Sequence, residues 1–300
     1  MFSPIRALLR LIALLTLGIV ALIPGAPVVT GSLCDSPGDQ AGTEIFKGVT
    51  YGCERLKPTD EGSGFLHWAR IDLTAPGIEL FVTSLDSEAV RNGWQYRLRR
   101  VTNVLDEQDL AVAINASLFT RSASWRPALS GDFAKGVETM VANHVVSHVW
   151  KHTYLLWFDD ELTPHLRRSK PPAPTELISA KWGIGGQGVW LWNGQVWPDS
   201  DRMPDSRTAV AINRERNLLF MAVGNSVSPK RILTKLQQLG AQDGMLLDGG
   251  NSTSMVIGKG AKGMPSGAIF GGHFPVATAF GVRATPTAVS PELPGSLQTK

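Results

Sequence analysis

The segment Gly244–Gly258 reads GMLLDGGNSTSMVIG. The apolar run Met245-Leu246-Leu247 is followed at once by Asp248, then Gly249 and Gly250, then Asn251, Ser252, Thr253 and Ser254. A buried strand that ends this way fixes a carboxylate at the edge of the core, and the glycines let a ligand come close to the backbone. The amide and hydroxyl side chains supply donors and acceptors suited to sugar hydroxyls or phosphate oxygens. The same residues also fit a tight turn in which Asp248 only caps its own loop.

Three other groups of residues could carry chemistry. His144, His148 and His152 recur every four residues, a spacing that gathers them on one face of a helix and equally on one face of a strand. A metal site is one outcome. The valine-rich surroundings and the missing Glu of an HExxH pattern favour a ladder of structural histidines instead, so no metal ligands are assigned. Trp182, Trp190, Trp192 and Trp197 could stack on sugar rings or simply cover a sheet. Cys34 and Cys53 lie outside any CxxC pattern.

The elements that must position these groups are mostly strands. GVTYGCERL, FLHWARIDL and IELFVTSL cluster or alternate apolar residues between Gly, Pro and Asp. VTNVLDEQD predicts a short helix with Thr102 as its cap, and LAVAINA a buried strand. Residues 117–136 form a long polar loop of the kind that carries function. Strand character returns from Val141 to Phe158, and the prolines of HLRRSKPPAPTE mark a surface connection. Asn193-Gly194 predicts a two-residue hairpin, and RTAVAIN with NLLFMAVG two more strands. Ser228, Pro229, the apolar face Ile232, Leu233, Leu236 and Leu239, and Gly240 together predict a capped helix that delivers the chain to Met245. The fold class expected is α+β, with mixed, largely antiparallel sheets and a few packed helices.

At the N-terminus, Arg6 and Arg10 precede an apolar stretch from Leu11 to Ile23 that Pro24 and Gly25 interrupt. Residues 1–30 are therefore expected to be a secretory signal, with a retained N-terminal anchor as the alternative. Export makes a Cys34–Cys53 disulfide the expected state over two free thiols, contributing about 3 kcal/mol through loop closure. Residues 44–285 are expected to form one domain, and the Pro-, Ser- and Thr-rich residues 286–300 a disordered tail. A net charge of +3, with no basic block, excludes a nucleic-acid partner. Oligomeric state is left open.

LLDGGNSTSMV, together with the helix and strand before it, resembles the signature of the phosphodiester glycosidase domain family. INASLF at Ile114–Phe119, GIGGQGVWLWNGQ at Gly183–Gln195, SRTAVAI from Ser206, LQQLGAQDGMLLDGGNSTSMV and GGHFPVATAFGV from Gly271 follow the family's order. The departure lies at Asn115-Ala116-Ser117-Leu118-Phe119, where the family has Asn-Gly-Gly-Phe-Phe. Side chains at Ala116 and Ser117 would obstruct the site if its backbone needs positive φ or touches substrate there.

The resemblance implies an exported hydrolase that cleaves between the anomeric carbon of a sugar and a phosphodiester, acting on cell-envelope glycans or exopolysaccharide. In that scheme Asp248 serves the oxocarbenium-like transition state. Arg207 receives the phosphate, with Thr208 beside it, unless Arg207 pairs with Asp205 or Asp248. Asn115 is a third catalytic residue that hydrogen-bonds the sugar or water. Gly249, Gly250, Asn251, Ser252 and His273 complete the substrate contacts. No cofactor is implied, although a divalent cation on the phosphate is compatible with these residues. The alternative is a non-catalytic carbohydrate-binding or envelope-biogenesis protein on the same fold.

Overall fold

The computed structural model describes Cys34 and residues 42–150, 154–168, 172–197 and 203–287. The expected signal segment, His152 and residues 288–300 of the expected tail lie outside the described residues. Pro286, placed at the start of that tail, bridges Phe46 and extends the ordered domain slightly.

Period-two alternation with glycine at the turns produces an eight-stranded sheet. Its order is β1 (Thr43–Phe46), β2 (Val49–Thr59), β3 (Gly62–Asp72), β17 (Leu218–Val227), β16 (Asp205–Asn213), β18 (Asp243–Leu246), β14 (Gly188–Trp192) and β15 (Gln195–Val196). All of its pairings are antiparallel. One five-stranded sheet runs β10 (Val145–Val146), β9 (Val141–Ala142), β13 (Trp182–Gly186), β11 (Tyr154–Phe158), β12 (Pro164–Leu166). The other runs β20 (Gly267–Phe270), β19 (Met255–Ile257), β6 (Val112–Asn115), β21 (Ala279–Arg283), β4 (Glu79–Val82). The long polar loop holds β7 (Phe119–Arg121) and β8 (Phe133–Gly136), which pair with each other beside β5 (Tyr96–Arg97).

Alternation along each strand sorts the cores. Val210, Ile212, Leu219 and Met221 face inward and meet Ile114, Phe158 and Phe280 from the two smaller sheets. Each such fully buried side chain contributes about 1.5–3 kcal/mol. Ala209, Ala211 and Ala222 face the other way, and their small size lets the helix Pro229–Gln238 lie close, packing Ile232, Leu233 and Leu236. Ser228 caps that helix by accepting from the Arg231 amide at 3.1 Å, as expected. The helix Val101–Gln108 covers the outer face of β6, β19 and β21. Its N-cap is Arg100, which makes no side-chain capping bond, so Thr102 lies inside the first turn and is not the cap.

Asn193 and Gly194 both have positive φ and close the β14–β15 hairpin. Cys34 and Cys53 are bonded, with Cα atoms 5.3 Å apart, which ties the segment before the domain to β2. The histidine ladder does not form, because Asn143 and His144 adopt left-handed backbone and reverse the chain between β9 and β10. His144 faces Asp160, whereas His148 meets Gln95. Trp182 and Trp192 pack against the main core and Trp190 against the helix-side core, while the guanidinium of Arg168 lies 3.6 Å over the Trp197 ring.

Candidate active site

Strand β18 runs between β16 and β14, and Ala209 pairs with Leu246 across the β16–β18 ladder. The ladder continues one step through the Leu247 amide, which donates to the Thr208 carbonyl at 2.9 Å. One step further along that register, Arg207 stands opposite Asp248. Ser206 then faces Gly249, where a Cβ would come 2.8 Å from the Ser206 carbonyl oxygen, so the turn requires glycine. Gly250 follows with φ +59°.

Asp248 is 9% exposed. Its carboxyl is pushed up to about 6, mainly by burial, against the opposing pull of the Ser252 hydroxyl and the Gly249 amide that hydrogen-bond it. At neutral pH it is therefore largely ionised although it is mostly out of water.

Asn115 does not take the expected role. It is fully buried, its amide nitrogen donates to the Asp248 carbonyl at 2.7 Å, and its Oδ1 accepts from Thr208 Oγ1 at 2.7 Å and the Ser254 amide at 3.1 Å. Asn115 thus clamps β6, β16 and the turn after Asp248 to one another. It positions Asp248 and has no access to a sugar. Thr208 is likewise buried in this clamp and does not face a phosphate.

The Ala116-Ser117 departure has a clear structural outcome. Neither residue has positive φ, and Ser117 turns its hydroxyl to the Gly185 carbonyl at 2.8 Å, beside the sulfur of Met140. The side chain that replaces a family glycine therefore points into the core, while the Ala116 carbonyl accepts the Asp248 amide at 3.0 Å.

Reading the residues alone missed Glu138. It is 5% exposed, and the backbone amides of Leu118 and of Glu138 itself hydrogen-bond its carboxyl. Its Oε2 has no hydrogen-bond partner among the described residues. Burial first, and then the charge of Asp248, push this carboxyl up to about 8. The influence runs one way because Asp248 ionises first, while Glu138 still carries its proton. The available signal was an acid set within the otherwise uncharged run Val137–Ala142.

The remaining expected residues divide. Ser252 reaches the Asp248 carboxyl, and Asn251 is exposed at the rim of the turn. Arg207 is a backbone neighbour of Asp248, and its guanidinium donates from Nη2 to the Met203 carbonyl at 2.9 Å. His273 is not gathered here. It is exposed and lines a groove with Thr102, Asp106, Lys259 and Ala268, because Gly271 and Gly272 carry the chain over Thr253 and Val256 towards the helix Val101–Gln108.

The sequence profile of the phosphodiester glycosidase family matches residues 108–283, a span that holds Asn115, Glu138, Arg207 and Asp248. No curated protein matches in sequence. Among solved structures, the chain is similar to the catalytic domain of zebrafish N-acetylglucosamine-1-phosphodiester alpha-N-acetylglucosaminidase, auto-inhibited by its pro-peptide. That likeness has a TM-score of 0.57 at 12% identity and covers 79% of this chain and 83% of the other. A Burkholderia pseudomallei protein described as exported is similar at TM-score 0.51 and 11% identity, over 76% of this chain and 75% of that one. A hypothetical protein from Synechocystis gives 0.50 and 14%, over 78% of this chain and 62% of that one. At these identities the structural likeness is one of fold.

Proposed function

This chain belongs to the phosphodiester glycosidase family, and from that premise we propose that it hydrolyses the bond between a sugar's anomeric carbon and the phosphate of a glycosyl phosphodiester. The observation that carries the proposal is Asp248: a carboxylate at the end of a rigid strand, held by neutral donors and raised to about 6 yet charged at neutral pH. As the anomeric C–O bond breaks, positive charge grows on the ring, and a fixed carboxylate in a poorly hydrated site stabilises it. The bonding electrons leave with the phosphate, water adds its oxygen to the anomeric carbon and gives one proton to the departing phosphate, and the products are the free sugar and a phosphomonoester.

The departing phosphate is weakly basic and needs neither strong protonation nor a Lewis acid, so turnover is expected to survive EDTA. In this reading Arg207, beside Asp248 across the ladder, leaves the Met203 carbonyl it now holds to receive the phosphate oxygens. Ser252, Asn251 and the Gly249-Gly250 backbone line the turn. Cell-envelope or exopolysaccharide glycans outside the cytoplasm are the substrates we assign, and the Cys34–Cys53 disulfide supports an exported site of action. Tethering through the N-terminal segment is compatible with this placement. The non-catalytic alternative drew its force from Ala116 and Ser117, neither of which reaches into the turn at Asp248.

The test is release of free sugar from a panel of sugar-1-phosphate diesters, nucleotide-linked sugars included. A wild-type protein that releases sugar from no member would overturn the proposal.

A further inference from the structure

Glu138 has no part in the scheme above, and its surroundings give it one. It lies in the segment after β8, and the Leu118 amide that holds it belongs to the stretch following β6, the stretch whose Ala116 carbonyl holds the Asp248 amide. One short stretch of backbone thus holds the Glu138 carboxyl through Leu118 and the Asp248 main chain through Ala116. One Glu138 oxygen takes the backbone donors and Oε2 is left without a partner among the described residues, in a buried space that penalises a full charge more than a neutral carboxylic acid. Other charged groups nearby are accounted for elsewhere. His148 bonds the Val137 carbonyl and Gln95, Lys135 lies over the Trp94 ring, and Arg207 reaches the Met203 carbonyl.

We propose that Glu138 is a positioning residue that holds one proton beside Asp248, so that the pair carries a single negative charge and the site admits an anionic phosphodiester. The inference rests on the phosphodiester reading of the site and adds a charge rule to it. With Glu138 neutral, the phosphate's single negative charge meets one carboxylate opposite Arg207. With Glu138 ionised, two buried like charges repel the substrate, and affinity falls. No proton is transferred from Glu138 during turnover. Its rise to about 8 places the change at mildly alkaline pH.

The experiment compares the wild type with Glu138→Gln, whose amide imitates the neutral acid. KM for a sugar-1-phosphate diester is expected to rise in the wild type by roughly tenfold from pH 7 to pH 9 and to stay flat in Glu138→Gln, with kcat within about threefold of the wild type at pH 7. A KM rise that persists in Glu138→Gln, or a loss of kcat of about 100-fold or more at every pH, overturns the proposal. Carboxyl carbon NMR of the wild type and of Asp248→Asn gives a readout that needs neither turnover nor a folded Glu138 variant. Glu138 is expected to titrate near 8 in the wild type and lower once Asp248 is neutral. A Glu138 titration below 5 in the wild type sinks the inference. A wild type that releases no sugar while Glu138 titrates near 8 sinks the hydrolytic reading and leaves the shared proton standing.

Discussion

The segment from Asp243 to Asp248, β18 and the two residues after it, carries a buried carboxylate at each end, and the two are held in opposite ways. Asp243, at the start, is fully buried, accepts from the Asn193 amide at 2.8 Å and faces the Arg214 guanidinium at 2.9 Å. It fastens the β14–β15 hairpin to the strand beside it, and its charge is matched by a cation. Asp248, at the end, is held by a hydroxyl and an amide, both neutral, and its charge bears on a second buried acid, Glu138. A carboxylate matched by a cation serves the fold, whereas one held by neutral donors keeps free energy available for a ligand's developing charge.

The sharpest way to break this comparison is Asp248→Asn. Hydrolysis is expected to fall by about 10³-fold or more with the melting temperature unchanged or raised, because the amide carries no buried charge. Activity within tenfold of the wild type would make the two aspartates alike.

Glu138→Gln should show its effect in stability. The folded state keeps the Glu138 proton to about pH 8, while the unfolded chain releases it at the ordinary glutamate value of 4.5. Stability from this group is thus fully present below 4.5 and is lost as pH rises through 8, at about 1.4 kcal/mol per pH unit between. Urea titrations should therefore find Glu138→Gln increasingly more stable than the wild type from pH 5 to pH 8, then level. A constant difference would contradict a retained proton.

Asp243→Ala is expected to cost about 1–3 kcal/mol, since it strands the Asn193 amide, and to leave kcat as it was. Equilibrium unfolding alongside sugar release checks both halves. The smallest effect should come from EDTA, with an unchanged rate; restoration of lost activity by one divalent ion would bring a metal into the site.

Much of this was legible before any coordinates. The helix Pro229–Gln238 follows from Ser228, Pro229 and four apolar residues at helical spacing, and Asn193-Gly194 dictates its hairpin because both positions need positive φ. Asp248 stood out because an apolar strand ended on it. Asn115 was legible as important but not as a clamp, since its partners come from β16, the Asp248 turn and Ser254 just before β19. The histidine spacing misled because a left-handed turn at Asn143-His144 ends the periodicity it assumed.

By itself, the sequence determined whatever adjacent residues decide: strand alternation, caps, turns and the acid at the mouth of β18. These are short-range steric and hydrogen-bonding preferences, written within a few residues. Only the tertiary structure decided that Glu138 stands with Asp248, that Ser117 turns away, and that His273 lies in another groove. Burial and electric field belong to the space between distant segments, and a carboxyl's protonation depends on which of those segments finally close around it.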